Sequence, residues 1–249
     1  MRNWILLAAI SGALLSCKDK KESGEKTVTS DGKTEQQSTP LVAAINSTEK
    51  LLGSYVGPFG DNKITMLIIR VTKDSVEGRT IVGGNDRPFV GTYAESNGNY
   101  NFHAKEPGDD PDDGVFDFSM AASAPDTVSG SWKPNNSKKP AKQYALQRKK
   151  FEYRSDVGEW PEASQRLLKA DDVENLPKSE LEFMRNEIFA RHGYCFKKKN
   201  LRQQFEMEDW YVPNTVDIKG YLTDLEKKNI LLIKRYEKYA EDYGDEYGR

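Results

Sequence analysis

Hydrophobic and polar positions alternate in short segments between residues 49 and 150, and turn-forming residues separate these segments. Apolar side chains at every second position lie on one face of a β-strand, so the alternation predicts strands with one buried face. We predict eight strands, at 52–58, 62–72, 75–83, 87–95, 99–105, 114–121, 126–133 and 142–149. The expected core positions are Phe89, Gly91, Tyr93, Tyr100, Phe102, Ala104, Phe116, Phe118, Met120, Val128, Gly130 and Trp132.

Glycine, asparagine, aspartate and proline concentrate between the predicted strands, at 83–86, 97–99 and 134–136. These residue types form tight turns, so consecutive strands are expected to pair as antiparallel hairpins. Strands in such a meander can close into a small barrel, and closure leaves no strand edge exposed. Region 49–150 is therefore predicted to be an antiparallel β-meander barrel.

The barrel pattern resembles the lipocalin and avidin class of small meander barrels. Barrels of this class often hold a small apolar ligand, so the resemblance implies a pocket with Tyr93 and Trp132 as candidate ligand-contacting residues. The alternative is that the rings of Tyr55, Tyr93, Phe102, Phe118 and Trp132 simply fill the interior. Both interpretations stay open at the level of the sequence.

Beyond residue 154 the hydrophobic period changes to three and four residues, which indicates helices. Five positions share one helical face: Leu181, Met184, Ile188, His192 and Cys195. Ser179 precedes Glu182 by three residues, which is the spacing of a capping box, so a helix is predicted to begin at Ser179. A short helix is expected over 200–205.

A last helix is predicted to begin at Thr223, which forms a second capping box with Glu226. Its apolar side carries Leu225, Asn229, Leu232, Ile233 and Tyr236. A buried Asn229 needs hydrogen-bond partners, which we expect in the loop near Trp210. The chain is thus predicted to be α+β, with the barrel at 49–150 followed by a small helical domain at 154–243.

The stretch NEIFARHGYCF, at 186–196, holds one of the two histidines of the chain. Arg191 follows Glu187 by four residues, which allows a helical ion pair. Arg191 and His192 both fall in the last turn, where unpaired carbonyls favour positive charge, and Gly193 takes the left-handed position that often ends a helix. We therefore predict a structural role for Glu187, Arg191, His192, Gly193 and Asn229.

Catalysis at this stretch would need a nucleophile activated by His192 and a third group that orients the imidazole. Cys195 is expected on the buried face, where a thiol is inert. A metal bound by His192 and Cys195 would need further ligands, but the other histidine, His103, falls in the barrel region. We predict no catalytic residue, no metal and no cofactor, and we do not expect an enzyme.

Residues 1–17 read MRNWILLAAISGALLSC, with a basic start, an apolar run and small residues before a cysteine. So short an apolar core is typical of an export signal rather than of a spanning helix. The junction at 14–17 resembles the lipobox of bacterial lipoproteins, which implies acylation of Cys17 and attachment to a membrane through the acyl chains. Ordinary secretion is the alternative. Residues 18–48 are polar and are predicted to form a flexible linker.

The charge of the chain is nearly balanced, with 37 Lys and Arg against 39 Asp and Glu and a formal net charge of −2. Proteins that bind nucleic acid usually carry a clustered basic surface that neutralises phosphates. We therefore expect no nucleic acid as a partner, and a membrane contacted through Cys17.

Three groups of residues in the helical region form a composite motif. They are Pro161-x-Ala163-Ser164-x-Arg166-x-Leu168, Leu181-x-x-Met184-Arg185-Asn186-Glu187-Ile188-Phe189-Ala190-Arg191-His192-Gly193-Tyr194-x-Phe196, and Trp210-Tyr211-x-Pro213 followed by Glu226-x-x-Asn229. Over about 155–238 this motif resembles the YARHG domain of bacterial extracytoplasmic proteins, with one departure, since Phe189 stands where the family has tyrosine. The resemblance implies an exported, non-catalytic module linked to cell-wall binding, with the motif residues as fold determinants.

These observations predict a lipid-anchored binding or scaffold protein of the cell envelope, on the periplasmic or surface face of the outer membrane. Its partner would be peptidoglycan or another glycan, with Trp210, Tyr211 and Tyr194 as candidate stacking surfaces for a sugar. The alternative for Trp210 and Tyr211 is a place in the core. Two other functions stay open: a carrier of a small hydrophobic ligand in the barrel, and an envelope enzyme or enzyme inhibitor.

Overall fold

The computed structural model describes residues 48–243. The predicted signal peptide, the attachment site Cys17 and the predicted linker up to residue 47 lie outside the described residues, as do residues 244–249. None of the helices within 48–243 combines the length and the hydrophobicity that a membrane-spanning helix needs.

The first part of the described chain is a closed antiparallel barrel in which each strand pairs with the next. The strands are β1 Gly53–Phe59, β2 Asn62–Val71, β3 Ser75–Val82, β4 Asn85–Ser96, β5 Asn99–Lys105, β6 Gly114–Ala121, β7 Thr127–Pro134 and β8 Lys142–Arg148. The barrel closes between β1 and β8, where Tyr55 pairs with Arg148 and Val56 pairs with Gln147. The predicted meander barrel is confirmed.

The period of two places the predicted core positions in rows across the strands. Phe102 pairs with Phe118 across β5 and β6, and Phe116 pairs with Trp132 across β6 and β7. Most of these apolar side chains are buried, whereas Tyr93 and Trp132 are half-buried. The alternation in the sequence therefore identifies the inner face of the barrel correctly.

Aromatic rings fill the barrel between its two ends. Consecutive ring centroids lie 4.5–6.4 Å apart along the series Tyr93, Phe102, Phe118, Phe89, Phe116 and Trp132. Trp132 lies near the end of β7 and Tyr93 near the end of the oppositely directed β4, so the series runs from one end of the barrel towards the other. Each such ring pair contributes about 0.5–1.5 kcal/mol beyond its burial. This packing agrees with the alternative in which the rings fill the interior.

The helical region follows the barrel and makes the fold α+β. It contains α1 Glu162–Gln165, α2 Lys178–Arg191, α3 Lys199–Glu206 and α4 Asp224–Tyr243, with a single 3₁₀ turn at Ala170–Asp172 between α1 and α2. The predicted capping box at the start of α4 is confirmed. Thr223 N–H donates to Glu226 Oε2 at 2.9 Å, and Glu226 N–H donates to Thr223 Oγ1 at 3.1 Å.

The predicted capping box at the start of α2 is wrong. Pro177 has extended backbone angles, and its carbonyl accepts the N–H of Leu181 at 3.1 Å. The helix therefore begins at Lys178, and Ser179 already lies inside it. The proline ring fixes φ near −65°, which suits the residue that precedes the first helical turn, and no side chain caps this end.

Cys195 is buried as predicted, but it does not lie on the face of α2. The helix ends at Arg191, and beyond it Cys195 N–H donates to the Thr215 carbonyl at 2.7 Å. The Cys195 thiol accepts a hydrogen bond from Gly84 N–H, in the turn between β3 and β4, at 3.1 Å. Burial raises the pKa of this thiol to about 11. Cys195 thus packs the helical region against the barrel.

Two cations of the barrel contact the helical region as well. Lys63 Nζ donates to the carbonyls of Glu208 at 2.8 Å and Tyr211 at 3.2 Å, and Arg79 Nη2 donates to the Asn214 carbonyl at 3.2 Å. These hydrogen bonds are charge-assisted, and such bonds are stronger than those between neutral groups. They attach the helical region to β2 and β3.

Candidate functional site

Arg191 ends α2 with a buried guanidinium group that makes three hydrogen bonds. It donates from Nη2 to Glu187 Oε2 at 2.6 Å, from Nη1 to Ser164 Oγ at 3.0 Å and from Nε to the Val157 carbonyl at 2.8 Å. Glu187 also accepts the backbone N–H groups of 159–160, at 2.6 and 2.8 Å. The predicted ion pair therefore forms, and it ties α2 to the segment that leads into α1.

His192 pairs with Glu226, which lies 34 residues later in the first turn of α4. His192 Nε2 and Glu226 Oε2 are 2.8 Å apart, and the ring of Tyr153 stacks on the imidazole at 4.4 Å. Glu226 Oε1 also accepts the hydroxyl groups of Ser164 at 2.8 Å and Tyr153 at 3.1 Å. Burial by itself raises the pKa of Glu226, but the hydrogen bonds from His192, Thr223 N–H and Ser164 outweigh it and lower that pKa to about 2.

The connections among these groups differ from those of a nucleophilic site. The Ser164 hydroxyl bonds to Glu226 and Arg191 and makes no hydrogen bond to His192 within the described chain, whereas a serine nucleophile needs its base as a partner. Glu187, Arg191, His192 and Glu226 are each at most 6% exposed. Across residues 48–243, no three His, Cys, Asp or Glu side chains are grouped so as to hold a metal. The arrangement can hold α1, α2 and α4 together through satisfied buried polar groups.

Gly193 has a φ of +71°, the left-handed conformation predicted for the end of α2. An added Cβ would lie 2.8 Å from Asn214 Cβ, 2.8 Å from Phe151 Cε2 and 2.9 Å from the Val212 carbonyl oxygen. Both the backbone angle and the close approach of these neighbours therefore require glycine.

Asn229 is buried, but the predicted tie to the loop near Trp210 is wrong. Its Oδ1 accepts Leu168 N–H at 2.9 Å, and its Nδ2 donates to the carbonyls of Ala163 at 2.9 Å and Arg166 at 2.7 Å. Asn229 therefore ties α4 to the chain around the end of α1. The sequence could not indicate this, because the partners are backbone groups at least 61 residues away.

The two adjacent aromatic candidates of the helical region are not equally accessible. Tyr211 is buried, and its hydroxyl donates to the Tyr194 carbonyl at 2.8 Å, so the expectation of a stacking surface at Tyr211 is corrected to a core position. Burial raises the pKa of Tyr211 well above its usual value. Trp210 is half-buried, donates its indole N–H to Glu208 at 3.1 Å and packs edge-on against Phe205.

The third candidate, Tyr194, lines a groove of about 380 Å³ along α2. The other walls come from residues 196–198 and 216–219. Phe189, in place of the tyrosine of the motif, also lines this groove and packs edge-on against Tyr194 at 6.2 Å. Three aromatic residues therefore line the groove, namely Phe189, Tyr194 and the buried Phe196, and the sequence indicated Tyr194 as a candidate.

Polar side chains accompany these rings. Asn186 Nδ2 donates to the Glu182 carbonyl at 2.7 Å, which leaves Asn186 Oδ1 as an acceptor at the groove. Arg185 Nε donates to Glu237 Oε1 at 2.6 Å, and both side chains are 16% exposed. Sequence reasoning missed Asn186 and Arg185 as groove residues, because it treated the α2 motif as a fold determinant throughout.

Comparison with known proteins gives a family match in the helical region. Residues 158–238 match the family model described as the YARHG domain, and this range contains the two buried ion pairs and the groove. No curated protein and no solved structure matches the chain. The YARHG domain is typical of extracellular or periplasmic proteins and indicates a role associated with the cell envelope. The chain is therefore a YARHG domain-containing protein in which this domain follows a closed β-barrel.

Proposed function

We propose that the protein is a non-catalytic binding or scaffold component of the cell envelope, and that its groove along α2 holds a glycan such as peptidoglycan. One observation carries the proposal: the rings of Phe189 and Tyr194 lie beside the polar side chains of Asn186 and Arg185 in a single groove. Aromatic faces pack against the apolar face of a sugar ring, and a few polar groups orient the ligand.

The charge of the groove favours a glycan that carries carboxylates, as peptidoglycan does. Four cationic and two acidic side chains line it, namely Arg185, Lys197, Lys198 and Lys219 against Glu182 and Asp217. Complementary charge across an interface increases the association rate and the selectivity for the partner. A neutral glycan is therefore expected to bind more weakly than an acidic one.

A structural role for the pairs of Arg191 with Glu187 and of His192 with Glu226 belongs to the same proposal. It is supported by their burial and by hydrogen bonds that join different helices. The carrier function has less support, because rings occupy the barrel interior where a hydrophobic ligand would lie. The enzyme function has less support, because the Ser164 hydroxyl is hydrogen-bonded to Glu226 and Arg191 and not to His192.

Membrane attachment through acyl chains on Cys17 is proposed from the lipobox-like residues 14–17. A Cys17→Ser variant is expected to shift from the membrane fraction to the soluble fraction of cells. Equal distribution of the variant and the wild type would argue against the anchor.

Co-sedimentation of the full-length protein with purified peptidoglycan sacculi tests the glycan proposal. Tyr194→Leu is expected to reduce retention about threefold to tenfold, since aromatic packing contributes about 0.5–1.5 kcal/mol beyond burial. Tyr239→Leu is the matched control, because Tyr239 is 59% exposed and lies outside the groove.

Three outcomes count against the groove. Wild-type protein that stays in the supernatant removes peptidoglycan as the ligand. Equal retention of the two tyrosine variants removes Tyr194 as a contact. Loss of retention in Trp210→Leu, with Tyr194→Leu unchanged, moves the binding surface to Trp210.

A further inference from the structure

A concave surface lies at the end of the barrel that holds Trp132. A cleft of about 580 Å³ opens there, lined by Phe59 of β1, Asn62 of β2, Arg87 of β4, Trp132 of β7 and Lys142 of β8. Arg202 of α3 lines the same cleft. The cleft is therefore built from both the barrel and the helical region.

The cations at this cleft differ in how their charge is compensated. Arg87 forms an ion pair with Asp113, and Lys139 Nζ lies 2.5 Å from Asp112 Oδ1. Lys142, by contrast, forms no ion pair among the described residues, although Asp112 lies near enough to interact with it electrostatically. Its Nζ lies over the ring of Phe59 at 4.7 Å.

The ring of Trp132 also faces this ammonium group, at 5.4 Å from Lys142 Nζ. Arg202 donates from Nη1 to the Lys197 carbonyl at 3.1 Å and forms no ion pair within the described chain. Lys142 and Arg202 therefore remain available to an anion.

Two lining residues also contain buried polar atoms without a hydrogen-bond partner in the described chain. They are Asn62 Oδ1, an acceptor, and Arg202 Nε, a donor. A buried polar atom without a partner costs free energy. Arg202 thus brings to this cleft a guanidinium group that forms no ion pair among the described residues, although Glu206 lies near enough to interact with it electrostatically.

The indole of Trp132 forms the apolar wall of the cleft and is held by two contacts. Trp132 donates its indole N–H to Glu106 Oε2 at 3.0 Å and packs edge-on against Phe59 at 5.7 Å. Its side chain is half-buried, so part of the indole stays accessible. A partly accessible indole next to an ammonium group that forms no ion pair suits a ligand that combines a flat apolar part with a negative charge.

We propose that this cleft binds a small organic anion that carries a flat apolar group. The anionic group pairs with Lys142 and Arg202, and the flat group packs against Trp132. Because Arg202 belongs to α3, the ligand links the barrel to the helical region. The site is separate from the groove along α2, and the two proposals stand or fall independently.

Calorimetric titration of the full-length protein with three probes tests this assignment. Naphthoate carries the negative charge, naphthalene methanol is its neutral counterpart, and naphthylmethylammonium carries the opposite charge. Naphthoate is expected to bind with a Kd below about 1 mM, and at least about tenfold more tightly than either of the other two.

Matched lysine variants locate the binding. Lys142→Gln is expected to weaken naphthoate binding about tenfold, because a charge-assisted contact is lost. Lys133→Gln is the control. Lys133 follows Trp132 in β7, is exposed and lies outside the cleft. Arg202→Gln is expected to weaken binding to a similar extent as Lys142→Gln.

The proposal is overturned by any of three results with folded protein. The first is a naphthoate Kd weaker than about 1 mM. The second is equal or tighter binding of the neutral or ammonium probe. The third is equal binding by the Lys142→Gln and Lys133→Gln variants, which would show an adventitious site elsewhere on the surface.

Discussion

Replacing Arg191 with methionine tests whether the buried ion pair holds the helical region together. Methionine fills the space of the apolar stem of the arginine side chain but lacks the guanidinium group, so all three of its hydrogen bonds are removed. Glu187 would then lose its ionic partner in a site where its side chain is 2% exposed. Two backbone N–H groups, those of 159–160, would remain as its partners.

Breaking a buried ion pair from one side costs about 3–5 kcal/mol, because it leaves an uncompensated charge. That is a large part of the roughly 5–15 kcal/mol by which domains are stable. With an m-value near 2 kcal/mol per molar urea, a loss of about 4 kcal/mol lowers the urea midpoint by about 2 M. We therefore expect Arg191→Met to lower the midpoint of the helical region by roughly this amount.

Urea unfolding followed by far-UV circular dichroism and tryptophan fluorescence measures the effect. Arg154→Met is the matched control, because its partner is Asp156 and the two side chains are 55% and 60% exposed, where an ion pair contributes about 0–1 kcal/mol. The double variant Glu187→Gln/Arg191→Met is expected to be more stable than the sum of the single changes predicts, since neither charge is then left alone.

Equal midpoints for the Arg191→Met and Arg154→Met variants would refute the reasoning. A second refuting result is Arg191→Met with unchanged stability but lost retention on sacculi. That combination would assign the guanidinium group to ligand contact rather than to the fold.

Three further predictions concern stability and are read from urea midpoints. Burial raises the pKa of Glu206 from 4.5 to about 7, so the stabilising effect of the protonated side chain is present below pH 4.5 and is lost as the pH rises through 7. Between these pH values the urea midpoint of the wild type is expected to fall relative to that of Glu206→Gln. Parallel plots of midpoint against pH for the two proteins would contradict this. Gly193→Ala is expected to lower the free energy of unfolding by about 1–3 kcal/mol more than Gly98→Ala. Both glycines have a positive φ, but an added Cβ at Gly98 meets no atom within 4 Å. Equal losses of stability would show that the neighbours of Gly193 move aside to accommodate the methyl group. Tyr144→Phe is expected to be neutral or stabilising, since this buried hydroxyl has no hydrogen-bond partner among the described residues; a loss above about 1 kcal/mol would reveal a partner.

The barrel was predictable because its signals are local. Alternation at Phe116, Phe118 and Met120 repeats within one strand, and a meander requires pairing only between neighbours and at its closure. The largest difference in a strand boundary is two residues, at the start of β4, which was predicted at 87 and lies at 85. The interior was harder to predict, since alternation identifies the inward side chains but not whether they leave space.

Capping boxes show the limit of a local motif. Thr223 with Glu226 forms one, whereas Ser179 with Glu182 has the same spacing and does not. The difference lies at Pro177, whose carbonyl takes the first helical hydrogen bond and moves the helix start ahead of the serine. The spacing of serine and glutamate alone does not show that a residue further upstream starts the helix.

The sequence by itself determined that His192 and Asn229 face inward, because spacings of three and four residues place them among apolar neighbours. It also identified Glu187 as the ion-pair partner of Arg191, since an (i, i+4) contact lies within one helix. The tertiary structure alone decided that His192 meets Glu226, 34 residues away, and that Asn229 bonds to the backbone around the end of α1. Burial requires a polar group to have a partner, but the packing of one helix on another determines which partner comes within reach.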